Sequence, residues 1–490
     1  MGSVLATQGG GQALKMFIDG RWVGSDSGRT FEVRNPATGD LLASVPAGGR
    51  AEARRAIEAA ARAFPPWSHL PAKERAALLF KVRDLILEKK EELARLLAME
   101  EGKPIVEARG EILYAADFLG FFAEEGKRVY GELIPTHAPK KRLMILKQPV
   151  GVAGIIAIWN FPSAGITRPV APALAAGCPV VVKPAEQTPL SAIVLFELFE
   201  EAGLPPGVAN LVTAWDPEEI GHELVENPLV RKLNFTGSVE VGRLLMRGAA
   251  DQVKRVTLEL GGHAPFIVFE DADLEAAAQG ALLSKFRNTG QTCICANRIY
   301  VQEPIFEPFA SRFVELVKGL KMGNPLDETV QIGPLIDEQG FLKVQGHVED
   351  ALAKGAKLLL GGKRRTNGEF AKGFFFEPTI LSKVTHEMRI MREETFGPVA
   401  PLIPFRTEEE VLRFANGMPY GLAAFFYTKD LSRAVRFAEQ LEYGIVGVND
   451  PLPGTVQAPF GGVKQSGIGK EGGRLGLEEF LETKLVSIGL

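Results

Sequence analysis

The chain has 490 residues, of which 46% are hydrophobic and 24% are charged, and its formal net charge at pH 7 is -4. A chain of this length can bury large cores and is expected to form more than one domain, which excludes a disordered or fibrous protein. The mixed, slightly acidic charge lacks the basic surface that binding to nucleic acid or to an anionic membrane requires, so neither partner is predicted.

Cysteine and histidine are scarce in this sequence. Three cysteines cannot form a disulfide framework, and six histidines without metal-ligand spacing predict no metal site. The stretch "MGSVLATQGGGQ" has the composition of a flexible lead-in and not that of a secretory signal, and no apolar run is long enough to span a membrane. We therefore expect a cytoplasmic protein.

Residues 50–125 predict helices, because apolar residues recur three and four positions apart with charged residues between them. Residues 128–151 then change to extended character around a proline-containing turn, which predicts a hairpin. A hairpin that lies far from a helical layer needs cover, and another subunit is one source of it.

From residue 150 onward, short apolar strands alternate with helices, from "GVAGIIAIWN" through "PVVVKP" to "RKLNFTG". This alternation predicts a parallel, doubly wound sheet whose strands are buried on both faces. Ligands of such sheets bind at the carboxyl ends of the strands. The residues that stand there are Trp159, Asn160, Lys183, Glu186 and Gly237. A second alternating segment follows, in which a helix over residues 272–287 leads into "FRNTGQTCICANR".

Two of these strand ends have the composition of a dinucleotide site. In "NFTGSVEVG", Gly237 and Ser238 open a helix and can present backbone N–H groups to a phosphate, although an ordinary N-cap by Ser238 accounts for the same residues. In "VVVKPAEQTP", Glu186 can accept ribose hydroxyls and would repel a 2'-phosphate, which favours NAD over NADP. A surface ion pair between Lys183 and Glu186 is the alternative.

Two side chains are candidates for acid–base and nucleophilic chemistry. Glu259 is the carboxylate in the apolar segment "TLELGG", and burial would make it a general base near neutral pH, with a charge-paired structural glutamate as the alternative. Cys293 follows "NTGQT", whose flexible, amide-bearing residues indicate a tight, exposed loop that suits a nucleophilic thiol. Cys178 in "ALAAGCPVV" fits an inert, buried thiol.

Several motifs occur in a fixed order along the chain. They are "WNFP" at 159, "VVVKPAEQTP", "FTGSVEVG", "ELGG" at 259, "GQTC" at 290, "EETFGPV" at 393 and "PFGGVKQSGIGKEGG" at 459. Through them the chain resembles the aldehyde dehydrogenase superfamily, collinearly from about residue 16 to the C-terminus. The resemblance is closest to the succinate-semialdehyde dehydrogenase branch, through stretches such as "KRLMILKQPVGV" and "FRNTGQTCICANRIYVQE".

The resemblance implies an α/β protein with three parts. Residues 1–126 and 150–260 are expected to form a Rossmann-like, doubly wound NAD-binding domain. Residues 261–470 are expected to form a second α/β domain, which carries the nucleophilic cysteine. Residues 127–149 and 471–490 are expected to form a small β oligomerisation arm through which subunits pair as a homodimer or a homotetramer.

The resemblance also implies the chemistry, which is NAD(P)-dependent oxidation of an aldehyde to its acid. Cys293 would attack the aldehyde carbon, and the side-chain amide of Asn160 with the backbone N–H of Cys293 would hold the oxyanion. After hydride transfer, Glu259 would activate the water that hydrolyses the thioester. The residues expected to bind the cofactor are Trp159, Lys183, Glu186, Gly237, Ser238, Glu394 and Phe396. Glu471 matches a second acidic position that would assist proton relay.

Three further residues acquire roles from the branch. Arg168 and Arg287 match the positions that bind the distal carboxylate of the substrate, which predicts succinate semialdehyde or a similar semialdehyde. Without the family, a solvated or paired helix residue is the better interpretation of either arginine. Cys295 is close enough in sequence to close a disulfide with Cys293 on oxidation, and a small apolar filler is the alternative.

The chain departs from the branch near its substrate loop. The stretch "NDPLPGTVQAPFGG" has Gly454 where a serine-bearing loop is usual, with Thr455 adjacent, and Ile158 stands where proline is usual. These changes keep glutarate semialdehyde and a short neutral hydroxyaldehyde open as substrates. An acylating enzyme that uses coenzyme A typically lacks the hydrolytic Glu259, and a non-catalytic structural member would lose the nucleophile or the base, so both are disfavoured.

Overall fold

A computed structural model describes residues 14–490, so the predicted lead-in of residues 1–12 and the first residues of the predicted 1–126 segment lie outside it. The first described strands are β1 (Met16–Ile18), β2 (Arg21–Val23), β3 (Thr30–Arg34) and β4 (Leu41–Pro46). The helices that follow are α1 (Arg50–His69), α2 (Ala72–Glu88), α3 (Lys90–Glu101) and α4 (Ile105–Glu125). The prediction of helices over residues 50–125 is confirmed. Gly102 ends α3 in the left-handed region at φ 90°, a conformation that glycine adopts without a steric penalty.

The next part of the chain contains the predicted hairpin and the predicted alternation. The hairpin consists of β5 (Glu132–Ile134) and β6 (Lys141–Pro149), which pair antiparallel. The alternating elements are β7 (Val152–Ile156), α5 (Ala164–Ala176), β8 (Val180–Lys183), α6 (Pro189–Ala202), β9 (Ala209–Leu211), α7 (Glu218–Glu226), β10 (Val230–Gly237), α8 (Val239–Ala250) and β11 (Arg255–Leu260).

A second alternating part follows β11. Its first elements are β12 (Ala264–Val268), α9 (Leu274–Phe286), β13 (Ala296–Gln302), α10 (Phe306–Lys318), α11 (Glu338–Ala353), β14 (Lys357–Leu360), β15 (Thr379–Ser382) and β16 (Val399–Phe405). Its last elements are α12 (Glu408–Asn416), β17 (Tyr420–Gly421), β18 (Ala423–Tyr427), α13 (Leu431–Gln440), β19 (Ile445–Val448), β20 (Val463–Lys464), β21 (Gly467–Ile468), α14 (Gly473–Glu478) and β22 (Leu481–Gly489).

The first large sheet has the strand order β2-β1-β9-β8-β7-β10-β11-β21 within residues 14–490. Strands β9, β8, β7, β10 and β11 are parallel, and β7 and β8 are buried along their whole length. The chain adds β8 and β9 on one side of β7 and then β10 and β11 on the other. The carboxyl end of β7 therefore lies at the topological switch point, where doubly wound sheets bind their ligands.

The second large sheet has the order β14-β15-β16-β13-β12-β18-β19 in the described chain, and it is parallel except for β14. The predicted α/β architecture with two parallel sheets is thus confirmed. A third sheet joins β22 to β6 antiparallel along the whole of both strands, with β5 at its other edge. Strand β21 pairs antiparallel with β11 at the edge of the first sheet, and the division of the chain at residue 470 stays a prediction.

Candidate active site

A cavity of about 350 Å³ is lined by residues of α4, α5, β10, β11 and the loop that precedes β13. Its lining includes five residues that the sequence analysis had selected from separate motifs. They are Asn160, Arg168, Glu259, Arg287 and Cys293. Among residues 14–490, no group of three His, Cys, Asp or Glu side chains is arranged to hold a metal ion. The five selected residues bring a thiol, a carboxyl group, an amide and two cations into the cavity lining.

The turn that leads to Cys293 is buried, which corrects the expectation of an exposed loop. Residues Arg287–Gly290 form a 3-10 turn in which Asn288 and Thr289 adopt φ values of 49° and 57°. Both residues are 1% exposed, and interior groups bind most of their polar atoms: the Asn288 amide nitrogen donates to Glu101 at 2.8 Å, and the Thr289 hydroxyl accepts from the Gly333 N–H at 2.9 Å. A Cβ at Gly290 would lie 2.3 Å from the carbonyl oxygen of Gly397, so only glycine fits there. Cys293 itself is partly exposed, and it lines the cavity.

The Cys293 thiol and the Glu259 carboxyl group line the same cavity and interact with each other. Glu259 lies on β11 and is 2% exposed, and desolvation raises its pKa to about 7. Desolvation in the cavity also raises the pKa of the Cys293 thiol well above its usual range, and the negative charge of Glu259 adds to this rise. The thiol is therefore protonated near neutral pH and needs a base, and Glu259 is in place to act as one.

Arg168 on α5 faces two carboxylates. Its Nε lies 2.5 Å from a carboxylate oxygen of Glu471, and its Nη2 lies 3.9 Å from one of Glu259. The other oxygen of Glu471 accepts a hydrogen bond of 2.7 Å from the Asn234 amide. Arg168 is therefore ion-paired, as the alternative to a substrate-binding role states, and it also lines the cavity. Its positive charge stabilises the carboxylate form of Glu259 against desolvation.

Asn160 follows β7 at the switch point and is 1% exposed. Its Nδ2 donates to the backbone oxygen of Gln291, two residues before the nucleophile, at 2.8 Å. A side-chain amide has two hydrogens, and this bond uses one of them. The bond orients the amide beside Cys293 and leaves its second N–H for a ligand in the cavity.

The predicted cofactor residues lie at the carboxyl edge of the first sheet. The Nζ of Lys183 at the end of β8 contacts the Glu186 carboxylate, so the ion pair given as the alternative does form. Ser238 caps α8 by accepting from the Val241 N–H at 3.3 Å, as the N-cap alternative states. A Cβ at Gly237 would lie 2.4 Å from the Phe235 ring, so glycine is required before this helix.

The remaining cofactor candidates lie around the same crevice. The Trp159 and Phe396 rings pack edge to face, with 5.4 Å between their centroids, and Phe396 has the strained φ value of 54°. Glu394 accepts from the Gly262 N–H at 3.0 Å, and desolvation raises its pKa to about 7. These groups together fit a dinucleotide. Carboxylates suit ribose hydroxyls, a helix N-terminus suits a diphosphate, and an aromatic pair suits a flat ring.

Cys295 points into the protein. It is 1% exposed, donates to the Gly290 carbonyl at 3.3 Å and lies 3.6 Å from the Lys285 ammonium nitrogen. These polar neighbours distinguish it from a simple apolar filler. Cys293 and Cys295 are both free thiols, and a disulfide between them stays a prediction.

Helix α4 contributes cavity residues that the sequence analysis had treated only as part of an amphipathic helix. Glu111 and Tyr114 line the cavity, together with Lys103 from the turn before α4. Glu111 stands in the apolar stripe that Ala108, Ile112 and Ala115 define. A charged residue inside such a stripe is the signal that would have selected it.

The substrate loop also reaches the cavity, through Leu452 and Gly454. Thr455, the hydroxyl adjacent to the departure in this loop, is exposed and contacts Gln457 instead. A Cβ built on Gly454 would lie 4.0 Å from the Tyr114 hydroxyl oxygen. The hydroxyl near Gly454 at this end of the cavity is therefore that of Tyr114 on α4.

Known proteins match almost the whole chain. A model described as "Aldehyde dehydrogenase family" matches residues 22–486. A 3-sulfolactaldehyde dehydrogenase of Pseudomonas putida is 55% identical over 96% of each chain. The succinate-semialdehyde dehydrogenase (NADP(+)) GabD of Escherichia coli is 54% identical over 96% of this chain and 97% of its own. A solved structure described as an NADP-dependent enzyme of E. coli is 53% identical, covers 98% of both chains and superposes with a TM-score of 0.96.

Proposed function

Because this chain belongs to the aldehyde dehydrogenase family, we propose that it oxidises an aldehyde with a distal anionic group to the corresponding carboxylic acid. It is an NAD(P)-dependent enzyme, and the substrate class is the proposal. The observation that carries the proposal is that Arg287 shares one cavity with Cys293, Glu259 and Asn160. Succinate semialdehyde is the preferred candidate. Glutarate semialdehyde and an aldehyde with a sulfonate group, such as 3-sulfolactaldehyde, have the same charge.

The cavity residues support a covalent route. Glu259 takes the thiol proton, and Cys293 attacks the aldehyde carbon to form a thiohemiacetal. The free N–H of Asn160 and the backbone N–H of Cys293 stabilise the oxyanion. When bound, the nicotinamide cofactor supplies the hydride acceptor. Glu259 releases the thiol proton to solvent before hydrolysis. As a carboxylate again, it deprotonates the water that attacks the Cys293 thioester, and the thiolate of Cys293 leaves as the acid forms. Arg168, which contacts the carboxylates of both Glu259 and Glu471, stabilises the charged form of this base.

The residues that would bind the cofactor lie around the crevice at the topological switch point. Lys183 and Glu186 would hold the adenosine ribose, Gly237 and Ser238 would face the diphosphate, and the nicotinamide end would meet Glu394, Phe396 and Trp159. The chemistry of each group matches its task, since carboxylates accept from hydroxyls and helix N-termini attract phosphates.

The distal group of the substrate would bind at the end of the cavity formed by Arg287 and Tyr114. The Arg287 guanidinium lies over the Phe161 ring at 5.7 Å from its centroid, whereas Arg168 is in contact with the carboxylate of Glu471. A guanidinium held by an aromatic face keeps its donors for a carboxylate or sulfonate. Arg287 is therefore the main anion anchor in this proposal, and Arg168 supports it.

We expect Arg287→Ala to lower kcat/KM for succinate semialdehyde by about 10- to 100-fold, which corresponds to one lost charge-assisted interaction. Oxidation of butanal should stay unchanged, because butanal has no distal charge. The measurement is steady-state NAD reduction with succinate semialdehyde, glutarate semialdehyde, 3-sulfolactaldehyde, glycolaldehyde and butanal. Arg168→Ala should lower the rate with every aldehyde, since Arg168 also contacts the carboxylates of Glu471 and Glu259. A wild-type preference for butanal or glycolaldehyde would refute the anionic substrate.

We expect NAD to be preferred over NADP, and Glu186→Ser to lower the NAD/NADP ratio of kcat/KM by about tenfold or more, because it removes a charge that repels a 2'-phosphate. Glu201→Ser is the matched control, since Glu201 also pairs with a lysine, Lys89, but lies near the C-terminal end of α6, whereas Glu186 precedes this helix. An unchanged ratio in Glu186→Ser would contradict the assignment of Glu186 to the ribose.

We also propose a cytoplasmic homo-oligomer. The third sheet exposes apolar side chains in the described chain, among them Leu133 at 80% and Leu485 at 62%, which supports its role as the oligomerisation arm. The free state of all three cysteines fits a reducing compartment. None of the helices within residues 14–490 is long and apolar enough to cross a membrane.

A further inference from the structure

Buried charged side chains form part of the cavity wall, next to the segment that carries Asn160. Lys103 is 1% exposed, and its Nζ donates to the backbone oxygen of Asn160 at 2.7 Å. The same Nζ forms an ion pair with Glu111 and lies 4.0 Å from the centroid of the Phe161 ring. One ammonium group therefore contacts both Asn160 and the residue that follows it.

Glu111 extends this contact to the start of α5. Its Oε1 accepts from the backbone N–H of Ser163 at 2.9 Å and from that of Ala164 at 3.2 Å. A carboxylate is a favourable partner for the free amides of a helix N-terminus. Lys103 and Glu111 together therefore hold residues 160–164 from both sides.

The network continues to the loop of the nucleophile. The Asn288 amide lies 3.2 Å from the Asn160 carbonyl oxygen and 3.3 Å from that of Gln291. The Gln291 oxygen is also the acceptor of the Asn160 side-chain amide. The backbone that carries the oxyanion donor and the backbone that leads to Cys293 are therefore joined through shared acceptors.

Stability alone does not account for a lysine at this position. Burying an ion pair has a large desolvation penalty, and apolar residues of similar size often stabilise such a site equally well or better. The donors of Lys103 are instead directed at a main-chain oxygen of the catalytic segment. Small displacements of catalytic groups lower reaction rates strongly, so an interaction that fixes the segment carrying Asn160 would increase the rate of catalysis.

We propose that Lys103, with Glu111 as its counter-ion, is a positioning residue that holds the side-chain amide of Asn160 where the oxyanion on Cys293 forms. The inference rests on the proposed function, because the oxyanion arises from an aldehyde bound to Cys293. Lys103 does not touch the reacting atoms. It acts through the main chain of Asn160 and through the Phe161 ring.

The test compares Lys103→Met, Glu111→Gln and the double variant K103M/E111Q, in which both members of the buried ion pair are neutral. Glu100→Gln is the matched control, since Glu100 is 0% exposed and accepts from the Ser191 N–H at 2.9 Å at the start of α6 but does not line the cavity. The measurements are Tm, kcat and KM with butanal and with succinate semialdehyde, and the rate at which iodoacetamide alkylates Cys293, a reaction that forms no oxyanion.

We expect kcat of Lys103→Met to fall by about 10- to 100-fold with both aldehydes, while KM and the alkylation rate stay unchanged. K103M/E111Q should regain Tm but not kcat, and Glu100→Gln should lose Tm but not kcat. A recovery of kcat together with Tm in K103M/E111Q would overturn the proposal, as would an alkylation rate that falls in parallel with kcat.

The two proposals fail in different ways in this experiment. If the wild type prefers butanal to succinate semialdehyde, the anionic substrate is refuted, and the butanal data still decide the role of Lys103. If the wild type prefers succinate semialdehyde and Lys103→Met keeps its kcat, the substrate stands and the positioning role is refuted. A wild type that oxidises no aldehyde would overturn both.

Discussion

Replacing Cys293 by alanine is expected to lower kcat for aldehyde oxidation by at least about 10⁴-fold, because covalent catalysis loses its nucleophile. The binding of NAD should stay unchanged, since Cys293 is not among the residues expected to bind the cofactor. The measurement is steady-state NAD reduction, combined with a titration of NAD binding by protein fluorescence. A preserved cofactor affinity would show that the loss is chemical and not a failure to fold.

Two other cysteines provide the controls. Cys178→Ala should leave kcat unchanged, because Cys178 is fully buried away from the cavity and burial raises the pKa of its thiol to about 11. Cys295→Ala tests the neighbouring thiol, which lies against Lys285 and not in the cavity lining. If Cys295→Ala lost all activity while Cys293→Ala kept it, the nucleophile would be Cys295 and the proposed route would be wrong.

Glu259→Gln is expected to lower kcat by about 10²- to 10⁴-fold, because glutamine keeps the size of the side chain and removes the base. The wild-type rate should rise with pH around about pH 7, since desolvation raises the pKa of Glu259 to about 7 and only the carboxylate accepts a proton. Below this pKa the Glu259 carboxyl group is protonated and inactive, and above it the carboxylate acts as a base. Glu259→Gln should lose this rise.

Glu100→Gln is the control for the pH profile. Burial also raises the pKa of Glu100 to about 7, but Glu100 lies at the start of α6 and does not line the cavity. Its variant should keep the wild-type rise. A Glu259→Gln enzyme that retained both the rate and the rise near neutral pH would exclude Glu259 as the base and would direct the search to Glu471.

Local sequence patterns predicted the architecture well. Alternation of apolar strands and helices specifies a doubly wound sheet, because strands buried on both faces must be continuously apolar and their connections must be helical. The spacing of apolar residues over 50–125 predicted helices equally well. It did not predict the break at Lys89 between α2 and α3, because both segments favour helix and only tertiary packing separates them.

The site was predicted as a set of residue types and not as an arrangement. Cys293, Glu259 and Asn160 each had a local signal, and the structure brings them into one cavity. The loop of Cys293 was expected to be exposed, because its polar residues suggested contact with water. They are buried since partners such as Glu101, far away in the sequence, satisfy their hydrogen bonds.

The sequence by itself determined the fold class, the chemistry of the side chains and the family, because these depend on periodicity and on motifs that are local. Only the tertiary structure decided the pairing of Arg168 with Glu471, the pKa of Glu259 and the contact of Lys103 with Asn160. Each of these depends on desolvation and on distances between elements remote in sequence. Such quantities come into existence when the chain packs, since no local pattern specifies which charges share a dry interior.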